Sequence, residues 1–343
     1  MIRFVIIYCL CFFSLIRSLL AIESNHIDFL LDTIETQYFN NINYNVLSNN
    51  LYKEINNFDN NLRVYSSGTK AYLYKKQTLL KSFDLPKDNS SHKLWKNLIF
   101  ELIATTTTNS ETIRNNYNVF EKNILNSLAN NLDKYSRLEQ NNLHNQKISY
   151  EKNDDILIIK AYSFYKGISD DIKNLILQNK NCKGLILDLR NNRGGDFNEA
   201  ILTSGLFLDD ALITYTVEKD ETKRYYTSTK GDILNGKNIV ILVNKYTATA
   251  SEIVVASLVE QSRATVVGTS TYGKGTIMAV ENIGNHLLFI SSGVFYTPSG
   301  KKIENTGITP QICTGISGSC NIADKNMNKD IFVAINLIKN KIG

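Results

Sequence analysis

Between residues 24 and 140 the apolar positions recur at three- and four-residue steps. Ile27, Leu30, Leu31, Ile34 and Phe39 form one stripe, and 94–102 and 124–132 carry two more. This spacing lines one face of a helix, so the region is expected to be mainly helical. The run Thr105-Thr-Thr-Thr-Asn-Ser110 reads as a joint between two of these helices. No longer unit repeats along the chain, which argues against a solenoid.

Beyond residue 150 the texture changes. Strands are expected at 156–161, 184–189, 239–244, 264–268, 276–282 and 287–296, with helices at 169–178, 198–208, 251–263 and, amphipathic, 329–341. The strand at 184–189 is apolar without alternation, as in a sheet covered on both faces. Strands alternating with helices predict a mixed α/β domain with a largely internal sheet. The expected organisation is an amino-terminal segment at 1–21, a mainly helical region at 22–147 and an α/β core at 148–343.

Composition narrows the function. Of 343 residues 43% are apolar and 21% charged, and a net charge of +5 is spread without a Lys/Arg block. That distribution argues against nucleic acid as a partner. Arg3 followed by the apolar run 4–16 resembles a secretory signal, with export to the periplasm as the expected destination. Leu19 and Ala21 make a poor cleavage site, which leaves an uncleaved membrane anchor as the alternative. Beyond this segment lie three cysteines, Cys182, Cys313 and Cys320. The last two would be free to bridge in an oxidising compartment. No Cys/His spacing resembles a zinc site, and neither metal nor cofactor is expected.

The candidate chemistry lies in two stretches. In the first, Leu185-Ile-Leu-Asp-Leu-Arg-Asn-Asn-Arg-Gly-Gly195, a buried strand runs into a turn whose glycines permit positive φ and close backbone approach. In the second, Asn244-Lys-Tyr-Thr-Ala-Thr-Ala-Ser-Glu252 places Thr249 before a helix, where dipole and amides favour developing negative charge. A capped helix start also accounts for a hydroxyl followed by Glu, and explains Ser251 well. It does not explain Thr271-Tyr-Gly-Lys-Gly275 further on. Lys274, held between two glycines in a half-buried turn, is expected to lose hydration and serve as a neutral amine base. None of the four histidines falls in these stretches, so a hydroxyl–lysine dyad is the arrangement that remains.

These segments resemble the C-terminal-processing, or tail-specific, peptidases, a serine–lysine family with a crotonase-like core. The resemblance is carried by 187–195, 247–252 and 272–275, and by Tyr296-Thr-Pro-Ser-Gly300 and Gly307-Ile-Thr-Pro310. It implies Thr249 as nucleophile at the family's serine position and Lys274 as general base. The oxyanion would be held by the amides of Ala250 and of Gly194 or Gly195, with Glu260 at a position that is often acidic. There are departures: Thr249 replaces serine, Met278 replaces a lysine-orienting glutamine, and Arg193 replaces proline. The PDZ module expected after the helical region is missing, since only 138–147 separates that region from the core.

The resemblance implies an exported endopeptidase acting on proteins or peptides, with the membrane involved only through the amino-terminal segment. The alternative is a pseudo-peptidase that keeps the cleft to bind peptides or a partner. A third reading makes Ser251 the nucleophile. An acyl-CoA enzyme on the same core is disfavoured by the specificity of the peptidase strings. The enlarged helical region is expected to dock on the core or to pair between copies.

Overall fold

The computed structural model describes residues 25–88, 91–140, 148–229, 231–322 and 328–342. The export segment at 1–21 lies outside these residues, as does 141–147 of the link at 138–147. No helix among the described residues is long and apolar enough to cross a membrane.

In chain order the elements are α1 (Asn25–Gln37), α2 (Tyr44–Phe58), β1 (Leu62–Ser67), β2 (Lys70–Lys75), β3 (Thr78–Asp84), α3 (His92–Asn109), α4 (Glu111–Asn115), α5 (Tyr117–Asn130) and β4 (Arg137–Gln140). There follow β5 (Ile148–Asn153), β6 (Ile156–Ala161), α6 (Ile168–Gln178), β7 (Gly184–Asp188), α7 (Phe197–Gly205), β8 (Leu212–Glu218), β9 (Lys223–Thr227), β10 (Asn238–Val243) and α8 (Ala250–Glu260). The chain ends with β11 (Ala264–Gly268), β12 (Thr276–Ile283), β13 (His286–Tyr296), β14 (Ile312–Cys313) and α9 (Asn328–Ile342). The fold is mixed α/β. It divides into a first unit of residues 1–142 with 278–292, and a second of 143–277 with 293–343.

The first unit buries the predicted stripe of Ile27, Leu30, Leu31 and Ile34 together with Leu47, Leu51, Trp95, Phe120 and Ile124. Its helices are joined by a sheet that the helical reading did not anticipate. β1, β2 and β3 form an antiparallel meander in which Val64 faces Leu73 and Ala71 faces Phe83. Their outer positions are polar, and so few apolar residues per strand leave the two-residue period hard to see. Of the run Thr105–Ser110 only the last residue is a joint. The rest continues α3 to Asn109, because Thr105, Thr107 and Thr108 each donate to the carbonyl four residues back, which satisfies the hydroxyls inside the helix. The break falls at Ser110, whose Oγ accepts from Ile113 N at 3.0 Å and starts α4.

The second unit is built on a sheet in the order β14-β11-β10-β7-β6-β5. Pairings from β6 through β7 and β10 to β11 are parallel, and only β5 joins antiparallel. Leu157, Ile159, Leu185, Leu187, Ile239 and Ile241 pack with residues of α6, α7 and α8. The alternate set, Ile156, Ile158, Ile186, Val240 and Leu242, packs with Ala334 and Ile338 of α9. Coverage on both faces is why these strands read as unbroken apolar runs. Outside the reading fell β5, β8 and β9, which carry more polar and half-exposed positions.

A buried ion pair holds α9 at the end of β7. Arg190 reaches both oxygens of Asp188, at 2.9 and 2.7 Å, and one of Asp330 in α9, at 3.0 Å. Arg190→Ala leaves two carboxylates without their shared cation. It is expected to cost about 3–5 kcal/mol, measured by denaturant unfolding of the whole chain.

Candidate active site

In an open parallel sheet the chain emerges from the carboxyl ends of the strands on one edge, where ligands bind. Here β6, β7, β10 and β11 are consecutive neighbours. The turns that follow them therefore lie side by side, although the sequence spreads them over more than a hundred residues.

Side chains staple these turns together. After β7, Asn192 Nδ2 donates to Ala161 O at 3.0 Å, and its Oδ1 accepts from Gly194 N at 2.9 Å. The Asn192 carbonyl accepts from Ala248 N at 3.0 Å and from Ser251 Oγ at 3.2 Å. Asn244 Oδ1 accepts from the Asn191 main-chain N at 3.0 Å while its Nδ2 donates to Asn191 Oδ1 at 2.9 Å, and Thr247 Oγ1 donates to Leu189 O at 2.8 Å. The two motifs are thus one surface.

Thr249 is the N-cap of α8 and takes φ 49°, ψ −113°. A β-branched residue rarely adopts such a backbone, at a cost of about 1–3 kcal/mol. This backbone closes the six-residue turn 244–249 between β10 and α8 and sets the Thr249 side chain at the head of the helix. Thr249 Oγ1 donates to Arg193 O at 3.2 Å. It lies so close to Gly194 that a Cβ there would stand 1.7 Å from it. Gly194, at φ +95°, cannot be replaced without losing this approach. At Gly195 a Cβ would fall 2.2 Å from Phe164 O.

The centre of the arrangement is Glu252, which is fully buried. One oxygen accepts from Thr249 N and Lys274 N, each at 2.9 Å; the other accepts from Thr271 Oγ1 at 2.6 Å and Gly273 N at 2.8 Å. Burial holds this carboxyl above its ordinary range, against the pull of the four hydrogen bonds. The main chains of Thr249 and Lys274 are therefore each one hydrogen bond from the same oxygen atom. Lys274 is half-buried, in a turn where Gly273 packs against the backbone of Thr306 and Gly307.

Ala250, the first residue of α8, has an amide with no partner inside the helix. None of the described hydrogen bonds uses the Ala250 or Gly195 amide, whereas that of Gly194 is committed to Asn192. Of the two glycines considered for an oxyanion site, Gly195 is the one with a donor to offer. Ser251 is not the cap but the second helical residue, and it is fully buried. Its hydroxyl ties the helix to the Asn192 turn, which removes it from solvent as a nucleophile.

Glu260 lies elsewhere. It ends α8, about 16 Å along the helix from the N-cap, and accepts from Ser299 N at 2.8 Å and Ser299 Oγ at 2.9 Å. It braces the 297–300 turn, so the acidic group supporting the site is Glu252. The sequence carries the signal for this, a Glu three residues after the N-cap, which capping alone also explains. Met278, four residues after Lys274, has its sulfur 3.7 Å from the Ser291 hydroxyl.

Comparison with known proteins agrees with the geometry. Residues 155–314 match the model of peptidase family S41. A carboxy-terminal-processing protease of Bartonella bacilliformis is 37% identical over 155 residues, covering 45% of this chain and 36% of that protein. A tail-specific protease of Haemophilus influenzae is 34% identical over 135 residues, 38% of this chain and 19% of that one. The chain thus spans about a third or less of the length of these curated relatives. A lipoprotein from Streptococcus agalactiae shares the fold at TM-score 0.59 and 17% identity, over 93% of this chain and 96% of that one. Over residues 155–314 the chain is therefore similar to the C-terminal-processing, or tail-specific, peptidases of family S41.

Two outcomes follow from the geometry. Thr249→Gly removes the strained β-branched residue and is expected to raise stability by about 1 kcal/mol, seen as a higher midpoint in thermal unfolding. Glu252→Gln turns an acceptor of four hydrogen bonds into a group that must present an NH₂ to some of the same donors. A loss of about 3 kcal/mol is expected, and an unchanged midpoint would show that the carboxylate does not organise the turns.

Proposed function

We propose that the protein is an endopeptidase in which Thr249 is the nucleophile and Lys274 the general base. The observation that carries this reading is the strained Thr249 at the head of α8, its amide on the same Glu252 oxygen that holds Lys274. In the reaction Thr249 Oγ1 attacks the scissile carbonyl carbon while its proton passes to the neutral Lys274 amine. The carbonyl oxygen becomes an oxyanion facing the Ala250 and Gly195 amides and the positive end of α8. Collapse breaks the C–N bond, and the Lys274 ammonium returns the proton to the leaving amine. Water then hydrolyses the ester on Thr249, with Lys274 again accepting a proton. The substrates are proteins or peptides.

Export fits the disulfide between Cys313 and Cys320, a bond suited to an oxidising compartment. A second reading, a peptide-binding pseudo-peptidase, draws on the bond from Thr249 Oγ1 to Arg193 O and on Met278 at the family's lysine-orienting position.

The two readings separate in one assay on an unfolded protein substrate. Cleavage is expected to rise with pH as the Lys274 amine loses its proton, and to vanish in Lys274→Ala and Thr249→Ala. Thr249→Ser is expected to match or exceed the parent rate. Binding of substrate without cleavage by the parent and by Thr249→Ser would favour the pseudo-peptidase.

A further inference from the structure

In the first unit, α1 and α3 bring together a set of side chains that the peptidase reading does not use. Asp28, Asp32 and Glu35 succeed one another at i, i+4 and i+7 on α1, while His92 and Lys96 stand one turn apart on α3. His92 Nε2 is 3.1 Å from Glu35 Oε2 and 3.8 Å from Asp32 Oδ1. Ligand atoms of Asp32, Glu35 and His92 all lie within 4.8 Å of one another.

His92 sets this cluster apart from an ordinary patch of surface acids. The residue is only 9% exposed, and its Nε2, aimed at the two carboxylates, is fully buried without a hydrogen-bond partner. The other ring nitrogen, Nδ1, is engaged by the Tyr44 hydroxyl. Tyr44 is itself fixed by stacking on Trp95, ring centroids 5.8 Å apart. A histidine with one nitrogen on a fixed oxygen and the other directed at carboxylates has the arrangement of a metal ligand with its outer support. Lys96 lies 2.6 Å from Asp28 and also reaches Asp32. Three carboxylates against this one ammonium leave the group two negative charges in excess, which one divalent cation balances.

We propose that His92, Asp32 and Glu35 bind a divalent transition-metal ion of the zinc class, clasping α1 to α3. One imidazole and two carboxylates suit zinc, at about 2.0–2.2 Å per bond, better than the all-oxygen preference of magnesium. The carboxylates of Asp32 and Glu35 are about half exposed. They have room to close on an ion, while the buried histidine stays in place. Sequence spacing does not show such a site, because its ligands come from two helices with a sheet between them in the chain.

The test uses the whole chain, stripped with a chelator, and zinc ion as the probe. Zinc is expected to bind one-to-one in calorimetric titration and to raise the unfolding midpoint by about 5 °C at a hundredfold excess over Kd; magnesium is expected to do neither. Cobalt(II) is expected to give a visible absorption band. Glu35→Gln and His92→Gln are each expected to lose most of the zinc-dependent rise and of that band. Should His92→Gln fail to fold, Glu35→Gln, at a half-exposed position, decides alone. A parent protein that zinc does not stabilise would overturn the proposal, as would a zinc effect that survives Glu35→Gln intact.

Discussion

One buried carboxylate organises the candidate active site. Glu252 gathers four donors from three places in the chain: the N-cap of its own helix, the Thr271 hydroxyl, and the amides of Gly273 and Lys274. A carboxylate takes four such bonds because it is acceptor-only, whereas an amide would turn two hydrogens toward donors. Burying it is tolerable only because both oxygens are filled. The cap of α8 and the lysine turn after β11 are consequently fixed to each other through a group that need not touch substrate.

Around that anchor, strain and close approach depend on each other. Thr249 holds an unfavourable backbone because its neighbours leave no alternative. Its amide is held by Glu252, its carbonyl accepts from Glu252 N and Ile253 N, and the preceding Ala248 amide is bound by the Asn192 carbonyl. Gly194 then has to lack a side chain, since Oγ1 occupies the volume a Cβ would need. The parallel register of β7 and β10 places the two turns opposite each other, so residues some fifty positions apart behave as one local structure.

Much of this could be read in the sequence, and where it could not there is a physical reason. The second-unit strands β6, β7, β10 and β11 are apolar throughout because helices cover both faces, and that texture survives without any structure. The meander β1 to β3 buries few residues per strand and lies between helices, so the helical period dominated its surroundings. The stretches around Thr249, Lys274 and the glycine turn stand out in the sequence because each combines a residue type with a demanding backbone context, and the fold brings them together. Glu252 and Ser251 were misjudged because a helix start explains a hydroxyl and an acid equally well, whichever hydroxyl is the cap. Only the fold shows that Glu252 serves a second turn and that Glu260, likewise a glutamate, faces away along the helix to Ser299.

The threonine itself sets a further constraint on the proposed chemistry. Its hydroxyl donates to a carbonyl, Arg193 O, an acceptor that cannot carry a proton away. Attack on a substrate requires Oγ1 to exchange this partner for an amine. At 3.2 Å the bond is longer than the usual 2.7–2.8 Å of an O–H···O contact, so little is lost in breaking it. Turning the hydroxyl about χ1 is harder, because a β-branched side chain has fewer accessible rotamers than serine. The approach that makes Gly194 indispensable also crowds the space in which the rotation must occur. In the proposed reaction the threonine would on these grounds slow the step that activates the nucleophile, while leaving the architecture that would receive the oxyanion untouched.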